Sequence, residues 1–242
     1  LVISSKAYWP MSKGSNDRGL SRKHLFESVD ASLKRLGTDY LDLFFCHRED
    51  PEVPLDETLR ALDDLVRMGK ILYWGTSCWG GATLLKAHGI TRLRGWTPPI
   101  VEQPMYNLLK RQAEVEILPL AQRERLAVFP YSPLAGGILT GKYLAGDADD
   151  ASRLNSNRMY QTRYGDESNT EIARAFVALA KEHGVKPATL AVAWTGAHPG
   201  VTAPLIGARI VAQLEARRMI VYPGPTQSAV DRGFDWRFVA PT

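Results

Sequence analysis

Apolar positions along this chain follow two alternating rhythms. Near-continuous apolar runs of strand length occur at residues 1–5, 40–46, 71–75, 100–103, 127–131 and 201–207, as expected of strands buried on both faces. Between them apolar residues return every three or four positions, as in Leu25, Val29, Leu33 and Leu36, then Leu55, Leu59, Leu62, Leu65 and Val66. That spacing lines one face of a helix. Ser21 is a helix N-cap residue and Gly37 a helix stop; Gly69 ends the second helix in the same way. Further helices are predicted over 83–88, 112–125, 171–183 and, opening with Pro187, over 187–198. The stretch from 143 to about 170 is polar and without period, a length more typical of a lid than of a connection.

Six strands alternating with helices predict a parallel sheet with crossover helices, in one domain spanning residues 1–242. The strand ends present, in order, Lys6, His47, Ser77, Gln103, Ser132 and Gly207. In a (β/α) barrel such ends meet at one mouth, whereas an open doubly wound sheet gathers them only at its switch point. No G-x-G-x-x-G follows the first strand, so the Rossmann fingerprint is missing.

Composition narrows the function classes. With 242 residues, 45% apolar and 23% charged, the chain reads as an ordinary globular protein. It has no apolar run near the roughly 20 residues that cross a bilayer. It is expected to be cytoplasmic, without a membrane partner; the opening LVISSKAYWP is not a signal peptide. The net charge of +4 is mild and spread out, which argues against a nucleic-acid partner and suits an anionic small molecule such as a phosphorylated cofactor. Cys46 and Cys78 form no CxxC and no His/Cys cluster, so neither a disulfide framework nor a metal site is expected. Asp63 and Asp64 are expected to be solvated on an exposed helix stretch.

The most telling stretch is AVFPYSPLAGGILTGKY, residues 127–143. A short strand stops at Ser132-Pro133, Ala135-Gly136-Gly137 lets backbone approach a ligand closely, and Lys142 follows. Exposed amides beside a lysine suit phosphate binding, although an ordinary strand-to-loop turn has the same composition.

LGTDYLDLFFCHRED, ILYWGTSCW, PPIVEQPMYNLL, YSPLAGGILTGKY and APLIGAR, in this order, resemble the aldo-keto reductases, in particular bacterial members related to the β subunits of voltage-gated potassium channels. The resemblance covers about residues 1–215. It implies a (β/α)8 TIM barrel that binds NADPH without a Rossmann fold and moves hydride between the nicotinamide and a small aldehyde or ketone. By position it makes Lys6 and His47 catalytic, with Lys6 favouring the phenolate of a tyrosine proton donor and His47 donating to the substrate oxygen. Ser77 and Gln103 would hold the nicotinamide carboxamide and Tyr131 would stack on its ring. Ser132, Pro133, Leu134 and Gly136 would line the pyrophosphate, with Lys142 and Arg153 as phosphate contacts. Gly207, Arg209 and Gln213 would grip the adenosine 2′-phosphate and adenine. Trp9 and Trp79 serve either as walls of a substrate pocket or as covers over apolar surface.

The family's aspartate and tyrosine precede the lysine, in βα units that this chain as written lacks. The domain is therefore expected to be N-terminally incomplete and impaired in carbonyl reduction. Residues 217–242 are atypical, without the helical period expected of a last helix. A non-catalytic NADPH-binding regulatory module, like the channel β subunits, is the alternative. Homo-oligomerisation is left open.

Overall fold

The computed structural model describes residues 1–150 and 152–207. The chain divides into two compact units, Leu1–Pro104 with Glu116–Val128, and Met105–Val115 with Phe129–Thr242.

The first unit holds five strands, β1 (Ser4–Ala7), β2 (Leu41–Cys46), β3 (Ile71–Thr76), β4 (Val101–Glu102) and β5 (Ala127–Val128). All neighbours run parallel, in chain order β1-β2-β3-β4-β5. A doubly wound sheet reverses its strand order at a switch point. This sheet does not, and its sequential order is that of an α/β barrel. Helices α1 (Arg22–Leu36), α2 (Leu55–Arg67), α3 (Gly81–Arg94) and α4 (Ile117–Glu124) carry the chain between strands.

Local chemistry sets the boundaries. The Ser21 hydroxyl accepts the His24 N–H at 3.3 Å, and Gly37 ends α1 in the left-handed conformation, φ 66°; a cap of this kind stabilises a helix by about 1 kcal/mol. Helix α3 runs well past the expected 83–88; its apolar residues lie around more than one face, with Leu85 and Leu93 exposed, so no one-sided period marks its full length. The helix expected over 112–125 is instead a 3-10 turn, Gln112–Glu114, followed by α4. Pro119, in the first turn of α4, has no N–H with which to continue a helix from further upstream.

The core of the first unit gathers Phe44 and Trp74 from the sheet with Leu25, Val29, Leu59 and Leu62 from α1 and α2. Trp74 remains hydrogen-bonded there, its indole N–H donating to the Thr97 carbonyl at 3.0 Å. Asp63 overturns the expectation of a solvated residue. It is 1% exposed and accepts from the Arg67 Nε at 2.7 Å and from the Thr97 N–H and hydroxyl at 2.9 and 3.1 Å. Its charge is tolerable inside because three donors replace water.

The second unit is helical among its described residues: α5 (Arg153–Ser156), α6 (Arg158–Tyr164), α7 (Glu167–Glu182) and α8 (Pro187–Ala197), with a segment of tight turns at Ala135–Thr140 whose backbone leaves helical geometry at Gly136 and Gly137. Leu139, Tyr164, Ala173 and Phe176 form its core. The stretch expected to be aperiodic thus contains α5 and α6, which are too short for their period to emerge; the Asn157 side chain caps α6 by accepting the Met159 N–H. Residues 201–207 do not form the expected sixth strand. Pro204 offers no donor, and the Leu205 N–H bonds the Pro130 carbonyl at 2.8 Å. Among the described residues no helix is long and apolar enough to cross a membrane.

Candidate functional site

Strand register in the first unit aligns the candidate residues. Ala7, Cys46, Thr76 and Glu102 are successive partners across β1 to β4. The next row consists of the residues that leave these strands. The His47 N–H donates to the Ala7 carbonyl at 3.0 Å, the Ser77 N–H to Cys46 at 2.9 Å and the Gln103 N–H to Thr76 at 2.8 Å. Lys6 lies one residue before Ala7, paired with Phe45. Four of the expected site residues therefore stand at the C-terminal ends of adjacent parallel strands.

Lys6 is half-buried, with its ammonium 4.8 Å from the centre of the Phe45 ring. Burial holds its pKa below the usual lysine value, because the charged form loses hydration. Among the described residues no carboxylate forms an ion pair with it. The pKa of His47 is lowered first by burial and then by the positive charges of Arg48 and Lys6. The imidazole is thereby kept neutral at pH 7, with one N–H to donate and one nitrogen to accept. The exposed Trp9 ring meets His47 edge-on, 6.1 Å between centres.

Ser77 and Gln103 are nearly enclosed, 1% and 7% exposed. The Ser77 hydroxyl donates to the Gln103 main-chain carbonyl at 2.9 Å, leaving its oxygen lone pairs as acceptors. The Gln103 side-chain amide makes no hydrogen bond to a described residue, so a donor and an acceptor remain together at the strand end. A primary amide on a ligand is their natural complement. Trp79 is placed apart from this row. It is 3% exposed and lines a cavity of about 230 Å³ with Leu20, Glu49, Asp50, Thr58 and Thr83.

The second unit carries the turn. Tyr131 bridges to Met105 and the chain then leaves extended geometry, with Ser132 at φ 59° and Ala135 at φ 49°. Leu134 at φ −91° is followed by Ala135 at φ 49°, Gly136 at φ 69° and Gly137 at φ 101°, a tight turn in which the Ala135 N–H donates to the Ser132 carbonyl at 2.9 Å and the Gly137 N–H to the Leu134 carbonyl at 2.8 Å. A Cβ at Gly136 would stand 2.7 Å from the Tyr160 ring, and one at Gly137 3.1 Å from Lys142 Cε. The Lys142 ammonium donates to the Ser152 hydroxyl at 2.9 Å, and the Arg153 guanidinium lies 5.4 Å from the Tyr160 ring centre. The positive charges of Lys142 and Arg153 beside this glycine turn suit an anionic group such as a pyrophosphate. Pro133 lies within the turn, and Gly207 is exposed two residues past the Leu205 hydrogen bond to Pro130. Arg209 and Gln213 lie outside the described residues.

Two residues that brace these candidate positions were not expected. Asn107 is fully buried, and its side-chain amide donates to the Ser132 carbonyl at 2.9 Å and to the Tyr164 hydroxyl at 3.1 Å while its oxygen caps Leu109 and Lys110. It thus holds the strained turn from its own unit. Glu102 is also fully buried. Both lie within PPIVEQPMYNLL, where a carboxylate inside an apolar strand was the available signal. Among the described residues no group of three or more His, Cys, Asp or Glu is placed to hold a metal.

Residues 1–219 match the model of the aldo/keto reductase family. The chain is 38% identical over 239 residues to a probable voltage-gated potassium channel subunit beta of Oryza sativa subsp. japonica, covering 96% of this chain and 72% of that protein. It is 39% identical over 219 residues to a probable voltage-gated potassium channel subunit beta of Arabidopsis thaliana, covering 89% and 66%. It is 38% identical over 244 residues to an uncharacterized oxidoreductase, YrpG, of Bacillus subtilis (strain 168), covering 93% and 73%. This chain therefore spans about two thirds to three quarters of the length of these relatives.

Proposed function

This chain belongs to the aldo/keto reductase family, and from that premise we propose that it is an NADPH-dependent oxidoreductase acting on small aldehydes or ketones. NADPH, when bound, supplies the hydride that reduces the carbonyl carbon. Ser77 and Gln103 receive the carboxamide, the one through free hydroxyl lone pairs and the other through an uncommitted amide. Neutral His47 donates a hydrogen bond to the substrate oxygen, and the Lys6 ammonium favours the phenolate of the tyrosine that, by the family resemblance, delivers the proton to that oxygen. In the second unit Tyr131 stacks on the nicotinamide. The turn Ser132, Pro133, Leu134 and Gly136, with Lys142 and Arg153, receives the pyrophosphate. Gly207, Arg209 and Gln213 take the adenosine 2′-phosphate and adenine, with Arg209 selecting NADPH over NADH.

The alignment of His47, Ser77 and Gln103 in one row beyond the strand ends supports this reading most strongly. Titration of the full chain with NADPH, followed by tryptophan fluorescence, tests it. Saturable quenching in the range of about 1 μM to 1 mM is expected, tighter than for NADH. The absence of any saturable change refutes the proposal.

The names of the plant relatives favour a second reading, a nucleotide-binding regulatory subunit that does no carbonyl chemistry. Aldehyde-dependent oxidation of NADPH, measured on a chain that includes the tyrosine proton donor implied by the family resemblance, separates the two: turnover supports the enzyme, and tight binding without turnover supports the regulatory subunit.

A further inference from the structure

Residues 78–81 present four consecutive main-chain N–H groups at the start of α3, and the helix has no side-chain cap because its N-cap is Gly80. Three glutamates from three different elements receive them. Glu102, ending β4, accepts from Cys78 and from Trp79, the latter at 3.3 Å. Glu49, in the loop after β2, accepts from Gly80, and Glu116, just before α4, accepts from Gly81.

Glu102 differs from the other two. It has no exposed surface and also receives the Thr76 hydroxyl. Its carboxylate therefore holds both sides of Ser77, through Thr76 before it and Cys78 and Trp79 after it. Cys78 sits at φ 55°, a left-handed conformation that costs a non-glycine residue roughly 1–2 kcal/mol and persists only where surrounding contacts impose it. The same glutamate precedes Gln103, whose carbonyl accepts the Ser77 hydroxyl. A buried carboxylate is held against a considerable desolvation cost: burial pushes its carboxyl up to about 7 despite these hydrogen bonds.

We propose that Glu102 is a positioning residue for the nicotinamide carboxamide, clamping the turn from Thr76 to Trp79 so that the Ser77 hydroxyl and Gln103 amide address one group. This inference rests on the cofactor reading above. In its ionised form the carboxylate suits the task because it only accepts, and three donors converge on it. Glutamine can still accept from the two amides and donate to the Thr76 hydroxyl, whereas alanine leaves all three donors unsatisfied.

The test compares two ligands on the full chain: NADPH, and 2′-phospho-ADP-ribose, which lacks only the nicotinamide. Glu102→Ala should weaken NADPH about tenfold or more, as expected when buried donors are left unpaired, and leave 2′-phospho-ADP-ribose unchanged. Glu102→Gln should stay within about threefold of the parent for both, on the same scale. Should Glu102→Ala not fold, Glu102→Asp, which withdraws the carboxylate by one methylene, carries the same expectation. Unchanged NADPH affinity, or equal weakening of both ligands, overturns the inference while the cofactor reading stands. If the parent chain binds neither ligand, the cofactor reading falls and takes this inference with it.

Discussion

Ser77 donates its hydroxyl to the main-chain carbonyl of Gln103 at 2.9 Å, tying the ends of β3 and β4 together across 26 residues of chain. Ser77→Ala removes that tie and, on the proposed cofactor reading, a carboxamide acceptor at once. Expected outcomes are a stability loss of about 1 kcal/mol and NADPH binding weaker by about tenfold. Urea unfolding and calorimetric titration measure the two separately. A stability loss with unaltered affinity would assign Ser77 to the fold alone.

Gly136 lies at φ 69°, and an added Cβ would stand 2.7 Å from the Tyr160 ring. Gly136→Ala therefore combines left-handed strain with overpacking, together roughly 2–4 kcal/mol. Thermal unfolding should register this, and on the proposed cofactor reading 2′-phospho-ADP-ribose should bind more weakly as the turn distorts. Gly146, also at positive φ but with no neighbour near its Cβ position, provides the control: alanine there incurs the backbone strain alone.

Asp63 and Asp64 are adjacent in sequence and unlike in setting. Asp63→Ala leaves the half-buried Thr97 N–H and hydroxyl without their acceptor and should cost about 1–3 kcal/mol. Asp64→Ala removes pairs with Arg22 and Arg60, both about half-exposed, and should cost less than about 1 kcal/mol. Denaturant midpoints for the two variants decide the matter, with equal losses contradicting it.

The carboxyl of Glu102 is pushed from the ordinary 4.5 to about 7, by burial first and by the Glu49 charge last, against the hydrogen bonds from Thr76, Trp79 and Cys78. Between these values the folded protein holds a proton that the unfolded chain has released. Stability from this group therefore falls as pH rises from 4.5 towards 7, and levels off above. Glu102→Gln abolishes the effect. Its stability relative to the parent should rise by roughly 3 kcal/mol between pH 4 and pH 8, and urea unfolding at both pH values that gives a constant difference would refute this.

The positions of Lys6, His47, Ser77 and Gln103 near the C-terminal ends of their strands were legible because each residue directly ends or follows an apolar run, a local property of the chain. The turn around Gly136 was legible for the same reason, through its glycines and proline. The burial of Asp63 was not, since its acceptor role is set by Thr97, 34 residues away. Asn107 and Glu102 escaped similarly. Their donors and acceptors at Ser132, Tyr164, Thr76 and Trp79 are 23 to 57 residues distant, and no periodicity reports such pairings.

The sequence by itself determined the alternation of strand and helix, the helix caps at Ser21 and Gly37, and which polar residues end the strands, because these follow from spacing and local backbone preference. Only the tertiary structure decided which polar groups lie inside, how α3 is capped by glutamates from three other segments, and that residues 201–207 form no strand. Those outcomes depend on which distant groups replace water around a buried donor or acceptor, and that is settled when the elements pack.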